Sequence, residues 1–266
     1  MGFLPKKGTN KVSRANPNAG VTNPSSRWFE WRGGEGVIQW YDKDLAAKSK
    51  DKKAGNVVIK VDAKHPFRFI VLDVLASVKG YNKKRKSGIY SNEVRDTRSD
   101  PFIVKFFDGD TIAEGVWADI KDKVVANKGG FCAVCYIAFK DGDELKIGAI
   151  QLKGCALGPW FDFQKKHRND IDTKGVAIVG SEDDTTGDVE FKKPIFVVVE
   201  ISPETNVKAG ELAKELAAFH AAYFSRTTVA RTEKDTASQP DAGDDEPPTD
   251  REPDEPPADD EDSVPF

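Results

Sequence analysis

The chain has 266 residues, with 40 Lys and Arg against 44 Asp and Glu, and a formal net charge of −4. Its three cysteines are too few for a disulfide framework and fit a reducing compartment, so we expect a cytoplasmic protein. No apolar run is long enough to span a membrane, and residues 1–9 lack the apolar segment of a signal peptide. We therefore expect no membrane partner.

The charge is divided unevenly along the chain. Residues 235–266 carry 13 acids and a single base, whereas residues 1–234 have a net charge of +8. A basic body suits a polyanionic ligand, and an acidic tail has the same sign as that ligand, so the two can compete for one surface. Composition predicts three parts: a flexible basic arm over 1–27, a single nucleic-acid-binding domain over 28–228, and a disordered acidic tail over 229–266.

Most of the first half is predicted to be β-structure. A hairpin is expected around Gly33–Gly36, followed by a charged loop over 42–55. Residues 66–81 are predicted to form a central strand because both of its faces are largely apolar. One face would hold Phe67, Phe69, Val71 and Asp73, and the other Arg68, Ile70, Leu72 and Val74. A second, very basic loop is predicted over 82–100. The strands predicted in this half are 28–32, 37–41, 55–62, 66–81 and 101–107.

The second half mixes strands and helices. A turn over 108–110 precedes a predicted helix over 117–127, and a second hairpin is expected across the turn 141–143. The last helix is predicted from apolar residues that recur at helical spacing. Strands are predicted over 131–139, 145–152, 175–180 and 189–201, and further helices over 156–168 and 207–224.

These elements predict a mainly β (α+β) fold in one domain. An OB-fold-like barrel, elaborated with extra hairpins and a few helices, is the interpretation we favour, because small barrels of this kind often bind nucleic acid. The same pattern also fits other barrels or sandwiches.

A basic stretch with tyrosines lies within residues 79–98. Binding of single strands needs cations along the phosphates and flat rings on which bases stack, each stacked base contributing about 1–3 kcal/mol. Two glycines, Gly80 and Gly88, allow close approach of the ligand. The alternative is a solvated lysine loop whose tyrosines pack at strand ends. The candidate DNA-binding residues of this stretch are Lys79, Tyr81, Lys83, Lys84, Arg85, Lys86, Tyr90, Arg95 and Arg98.

The first hairpin supplies three more candidates, Trp28, Trp31 and Trp40, which stack on bases in one interpretation and lie in the core in the other. Trp28 and Trp31 are an odd number of residues apart, so a regular strand directs them to opposite faces. At most one of that pair then meets the ligand. The two remaining tryptophans, Trp117 and Trp160, lie on predicted helices and are expected in the core.

Metal and catalytic sites are less well supported. Cys132 and Cys135 have the spacing of metal ligands, but a strand would direct the two thiols to opposite faces, and buried structural thiols are the favoured interpretation. A zinc site that adds Cys155 and His167 remains an alternative. The acids near 108–110, 141–144 and 183–184 lie in turns or loops, where Asp is common for conformational reasons. We expect no catalytic residue, no metal and no cofactor, and hence no enzyme.

The last six residues, Glu261–Phe266, combine acids, a proline and an aromatic residue. A small apolar pocket with an arginine would hold such a tip. This ending, behind an acidic tail, resembles the tip of single-stranded-DNA-binding proteins of bacteria and phages. The resemblance implies a protein that coats single-stranded DNA, whose tip recruits replication, recombination or repair proteins and competes with DNA. The implied partner-binding residues are Asp259, Asp260, Glu261, Asp262, Val264, Pro265 and Phe266.

The chain departs from the bacterial proteins of this kind, because its body is longer than a minimal OB-fold and its linker is short. A phage-type protein, acting in the host cytoplasm, is therefore the closer resemblance. Two other functions stay open: a metal-dependent nuclease acting on DNA intermediates, and a phage interaction module that binds no nucleic acid. Single-stranded RNA is also an open ligand.

Overall fold

The structure is a computed structural model that describes residues 22–48 and 52–236. These residues form the mainly β fold with few helices that the sequence predicts, with eleven strands where nine were predicted. The strands are β1 (Trp28–Arg32), β2 (Val37–Tyr41), β3 (Asn56–Lys60), β4 (Phe67–Asn82), β5 (Ser87–Ser91), β6 (Phe102–Phe106), β7 (Thr111–Gly115), β8 (Gly129–Asp141), β9 (Glu144–Lys153), β10 (Gly175–Thr186) and β11 (Val189–Val199). The α-helices are α1 (Lys43–Lys48), α2 (Trp117–Ala126), α3 (Leu157–Lys166) and α4 (Pro203–Thr236).

All the strands belong to one mixed sheet. Its main path is β3-β2-β1-β9-β8-β4-β5-β6-β7, while β10 pairs with β4 and β11. Only the β1–β9 pairing is parallel among the described strands. No pairing joins β3 to β7 within the described residues, so the sheet is open and the predicted OB-fold-like barrel is not confirmed. β10 and β5 pair with opposite ends of β4, so β10 and β11 branch from the main path of the sheet.

Three predicted boundaries need correction. The loop predicted over 42–55 contains α1, because the Asp42 carboxylate accepts hydrogen bonds from the backbone N–H groups of Asp44 and Leu45 and so caps the helix. The basic loop predicted over 82–100 contains β5, and β7 was not predicted at all. Both strands are only five residues long, too short to show a clear alternation.

The sheet has two faces of different character. We call the front face the side that packs against α2 and α3 over the main core, and the back face the opposite side. Two clusters of buried side chains form the front-face core, and they include Phe29, Trp160, Phe163, Val78 and Val124. On the back face, the first half of α4 covers Ile70 and Ala138 with Ala209 and Leu212.

A β-bulge in β4 decides which of its residues face the back. The register with β8 shifts between Val71 and Asp73, so Asp73 lies opposite Tyr136, which is on the same face as Ala138 and Ile70. Asp73 was predicted to share a face with Phe67 and Phe69, and this prediction was wrong because the extra residue reverses the alternation beyond it. Val74 lies instead on the front face, packed against the core.

The chain divides into two compact units. The first is Pro24–Leu216, and the described parts of the second are residues 22–23 and Ala217–Thr236. Within the second, Phe219 packs against His220 and Tyr223. The predicted domain bounds of 28–228 remain a prediction, although α4 continues beyond residue 228. None of the described helices combines the length and apolar character needed to cross a membrane.

Candidate nucleic-acid interface

The turn between β4 and β5 carries the densest basic cluster of the described chain. It consists of Lys83, Lys84, Arg85 and Lys86, all exposed. The side chain of Asn82 fixes the turn by accepting a hydrogen bond from the backbone N–H of Arg85, at 3.0 Å. Lys86 has φ of +54°, a left-handed conformation that glycine or asparagine usually occupies. A lysine at this position strains the backbone. It also places a positive charge at the tip of the hairpin.

Arg85 differs from its neighbours because two acids bind it. Its guanidinium donates to Asp108, at 2.8 Å, and to Asp110, and it lies 4.2 Å from the centre of the Phe106 ring. The bonds to Asp110 and Asp108 raise the pKa of Arg85, and the bond from Arg85 lowers the pKa of Asp108. The charge of Arg85 thus already joins the β4–β5 turn to the β6–β7 turn through exposed ion pairs, and its predicted phosphate contact stays a prediction.

The lysines of the turn have no such partners. Within residues 22–48 and 52–236, Lys83, Lys84 and Lys86 form no ion pair. Lys79, half-buried near the end of β4, and Lys105, half-buried on β6, also lack one among the described residues. These five ammonium groups remain available to an anionic ligand.

Two tyrosines and a phenylalanine lie beside these lysines on the back face. Strand register places Tyr81 opposite Gly88 and Lys79 opposite Tyr90, and Tyr90 lies in turn opposite Lys105. Residues directly opposite one another in antiparallel strands share a face. The Tyr90 ring lies 5.4 Å from that of Phe107. Tyr81 is 57% exposed and Phe107 is 73% exposed. We call Tyr81, Tyr90 and Phe107 the aromatic platform.

Sequence reasoning missed Phe107 and Lys105. The ring of Phe107 lies over Gly88, where an added Cβ would come within 2.6 Å of it, so the glycine makes room for the ring. A signal was present in the pair Phe106-Phe107. Alternation allows only one of two adjacent rings into the core, and Phe106 is the buried one.

The three candidate tryptophans separate between the faces. Trp28 lies on the back face, is 37% exposed, and packs edge-on against Tyr136 with ring centres 6.0 Å apart. Trp31 is 3% exposed and its indole N–H donates to the carbonyl oxygen of Lys192, at 2.8 Å. Trp40 packs on the front-face core beneath the guanidinium of Arg27, 4.2 Å from its ring centre. Trp31 and Trp40 are therefore withdrawn from the candidate interface.

The two remaining arginines also have acidic partners. Arg95 forms a two-pronged ion pair with Asp73, at 2.7 and 3.0 Å, in the middle of the back face. Nearby, the Tyr136 hydroxyl lies 2.7 Å from the Glu93 carboxylate. Arg98 is almost fully exposed and lies 3.5 Å from Asp96. An exposed ion pair of this kind is weak, so Arg98 can exchange its partner for a phosphate.

The exposed aromatic side chains concentrate on the back face. Five are strongly exposed among the described residues, and four of them share this face. Tyr41 joins Trp28, Tyr81 and Phe107 there, because it follows Trp40, which faces front. The fifth, Phe161, lies on α3. An even scatter of rings would require no explanation, whereas a concentration on one face indicates a binding surface.

The cysteines are placed as the alternation predicts, on opposite faces. Cys132 lies opposite Ser77 on the back face, and Cys135 packs in the front-face core. Burial raises the pKa of Cys132 to about 12 and that of Cys135 well above its ordinary value. Among the described residues, no group of three or more His, Cys, Asp or Glu side chains is arranged to hold a metal ion.

Comparison of the chain with protein-family models, with curated proteins and with solved structures finds no match. The predicted partner-binding residues, Asp259–Asp262 and Val264–Phe266, lie outside the described part of the chain. The described geometry thus offers one chemical capability clearly: flat rings beside unpaired lysines on the same face of a sheet.

Proposed function

We propose that the protein binds and coats single-stranded DNA without sequence specificity, in replication, recombination or repair. The observation that carries this proposal is the aromatic platform of Tyr81, Tyr90 and Phe107 between Lys79, Lys105 and the lysines of the β4–β5 turn. Rings stack on any base, and lysines neutralise phosphates without reading the sequence. The proposal does not need a closed OB-fold barrel, because the open sheet presents the same rings and charges.

The expected affinity follows from these two parts. A stacked base contributes about 1–3 kcal/mol, and each lysine that neutralises a phosphate on a single strand adds about 0.7 to the slope of log affinity against log salt. Duplex DNA conceals the faces of its bases, so the platform should discriminate strongly against it. Stacking tolerates all four bases, so oligonucleotides of different sequence should bind with similar affinity.

A titration of labelled oligo(dT), read by fluorescence anisotropy at low and high salt, tests the proposal. The unmodified protein should bind tightly, with a marked salt dependence, and should bind a duplex of equal length weakly. The double variant Tyr81→Ala/Phe107→Ala should lose affinity by about 30-fold or more, because two bases can no longer stack. The matched control is Phe161→Ala, which removes an exposed ring from α3 and should bind as tightly as the unmodified protein.

Two outcomes would contradict the proposal. Equal affinity of the double variant and the unmodified protein would remove the aromatic platform from the interface. Loss of intact oligonucleotide in the presence of Mg²⁺, prevented by a chelator, would indicate the alternative nuclease function.

The acidic tail completes the proposal. Its segment Asp259–Phe266 would recruit other proteins of DNA metabolism, while its negative charge competes with DNA for the basic back face. Ending the chain after Thr236 removes a strongly acidic segment. We expect this truncation to raise the affinity for oligo(dT), most strongly at low salt, because screening weakens the competition. An unchanged or lower affinity in the same anisotropy titration would disprove the competition.

We also place this activity in the cytoplasm, of the host if the protein is phage-encoded. The three cysteines are all free thiols in the structure. Free thiols are compatible with a reducing compartment, which is where replication and repair take place.

A further inference from the structure

A cavity of about 290 Å³ opens on the sheet at the far end of β4 from the aromatic platform. Its walls come from the starts of β4 and β9, the ends of β8 and β11, and the first turns of α4. Six apolar residues line it, and they are Phe69, Ile70, Ala138, Leu145, Val199 and Ile201. The volume is close to the lower end of pockets that hold small organic groups.

The rim of this cavity is basic. Arg68, Lys140 and Lys208 line it, and all three are exposed and free of ion pairs within the described residues. Two acids also line it, but Glu200 is held by Lys174 at 3.0 Å. Asp143 is then the one acid of the rim without a basic partner in the described part of the chain. An apolar interior with a cationic rim suits a flat apolar group that carries a negative charge.

The cavity and the aromatic platform lie on the same face of the sheet. Arg68 and Tyr81 are an odd number of residues apart, and a regular strand would direct them to opposite faces. The bulge between Val71 and Asp73 adds one residue, so Arg68 and Tyr81 lie on the same face. Lys140 shares this face as well, since it follows Tyr136 and Ala138 at the strand period of two.

Other groups line the path between the two ends. Trp28 and Arg95 lie near its middle, both partly exposed, around the Tyr136 and Asp73 pair. Along β4, Arg68 and Tyr81 are about 40 Å apart at a strand rise of about 3.3 Å per residue. Rings and cations thus occur at both ends of the back face and beside its middle, where Cys132 and Tyr136 themselves are buried.

Resting on the function proposed above, we propose that this cavity is a second subsite for the same single strand. It takes one nucleotide, with the base against the apolar interior and the adjoining phosphates at Arg68, Lys140 and Lys208. A strand at about 3.4 Å per nucleotide needs about 12 nucleotides to span the path, and a stretched strand needs fewer. This length lies within the site sizes of about 4–16 nucleotides that a single OB-fold occupies.

The test compares two oligonucleotides and two charge variants of the full chain. The cavity variant is Arg68→Gln/Lys140→Gln/Lys208→Gln. The matched control, Lys165→Gln/Lys166→Gln/Arg168→Gln, removes the same charge from exposed positions on and just after α3 at the front of the sheet. Affinities for dT5 and dT20 are measured by fluorescence anisotropy at several salt concentrations, and a thermal melt verifies folding of each variant. Lys140→Gln alone serves as a second, milder variant.

We expect dT5 to bind the cavity variant as it binds the unmodified protein, because it occupies only the aromatic platform. For dT20, the affinity of the cavity variant should be about ten-fold or more lower at low salt. The slope of its log affinity against log salt should fall by about 2, because three cations are removed. Lys140→Gln should show a smaller loss with dT20, and the control should keep the affinity of the unmodified protein for both.

Failure of this inference and failure of the proposed function give different results. If the unmodified protein binds neither oligonucleotide, both are overturned. The other case is that the unmodified protein binds both oligonucleotides. If the ratio of dT20 affinity to dT5 affinity is then the same for the cavity variant and the unmodified protein, only the cavity subsite is overturned. An equal loss with dT20 in the control variant would also overturn it, because net charge would then account for the effect.

Discussion

The front and back faces of the sheet both carry aromatic residues, but these differ in burial. Phe29 on the front face is buried, with the rings of Phe67 and Phe139 each 5.0 Å away. Its neighbour Trp28, on the back face, has one ring contact with Tyr136 and leaves over a third of its surface exposed. The rings of the front-face core pack against one another, whereas Trp28, Tyr81 and Phe107 on the back face are exposed. Aromatic content alone therefore does not distinguish core rings from exposed rings; the exposure of each ring in the folded sheet does.

The largest expected effect is on stability, and it contrasts these two neighbours. Phe29→Ala should lower the free energy of unfolding by about 3–5 kcal/mol, because it leaves a cavity between two rings of the core. Trp28→Ala should change it by about 1 kcal/mol or less, since the side chain is partly solvated. Urea denaturation of both variants measures this difference. Equal losses would show that Trp28 is a core residue.

The next effect is on DNA affinity. Here the back-face variant Trp28→Ala should have a larger effect than a front-face variant. If one base stacks on Trp28, Trp28→Ala should weaken binding to oligo(dT) by about 1–3 kcal/mol, which is the usual contribution of a stacked base. Trp117→Phe is the control, because Trp117 packs against the front-face cluster and keeps an aromatic ring. Anisotropy titrations at one salt concentration suffice. A larger loss of DNA affinity for Trp117→Phe than for Trp28→Ala would show that the front face, and not the back face, binds the DNA.

The β4–β5 turn allows a finer test, because its strain and its charge are separable. Lys86→Gly should raise the free energy of unfolding by up to about 1 kcal/mol, since a left-handed residue with a side chain costs about 1–2 kcal/mol. It should also lower the salt slope of DNA binding by about 0.7, because one phosphate is no longer neutralised.

Lys128→Gly is the matched control for that turn. Lys128 has φ of +69° and its backbone lies where a Cβ on Gly80 would point. The same gain in stability is expected, without a change in the salt slope. A reduced salt slope of DNA binding for Lys128→Gly, or an unchanged one for Lys86→Gly, would contradict a phosphate contact at the β4–β5 turn.

The smallest effect concerns thiol chemistry. Cys132 and Cys135 lie on opposite faces, yet both are fully buried, and burial raises the pKa of each thiol. At pH 8 both stay protonated and should resist alkylation in the folded protein, while half-buried Cys155 reacts slowly. Mass spectrometry of the iodoacetamide products measures this. Rapid labelling of Cys132 would show that the back face is open at its centre.

Much of the fold was predictable from local patterns. The hairpin at Gly33–Gly36, the central strand β4 and helices α2 and α3 all follow from alternation or helical spacing, since each buries a continuous apolar surface. The strand order was not predictable, because pairing depends on contacts between distant residues. The bulge near Asp73 also left no local signal, although it decides which half of β4 faces which way.

The candidate site was predictable only in part. The lysines of the β4–β5 turn and Tyr81 follow from composition, whereas Phe107 joins them only through the pairing of β5 with β6. Arg85 was expected to be free, but Asp108 and Asp110, distant along the chain, bind it. Trp28 and Trp31 could not be told apart until the front face was known.

Ultraviolet crosslinking of oligo(dT) to the full chain, followed by mass-spectrometric mapping of the adducts, tests the central claim most directly. Our account predicts adducts on the back-face rings, at Tyr81, Phe107 and Trp28, and none at Phe161 or Trp117. Adducts confined to the front face, or no adducts when the oligonucleotide is saturating and bound, would contradict the assignment of the back face as the DNA-binding surface.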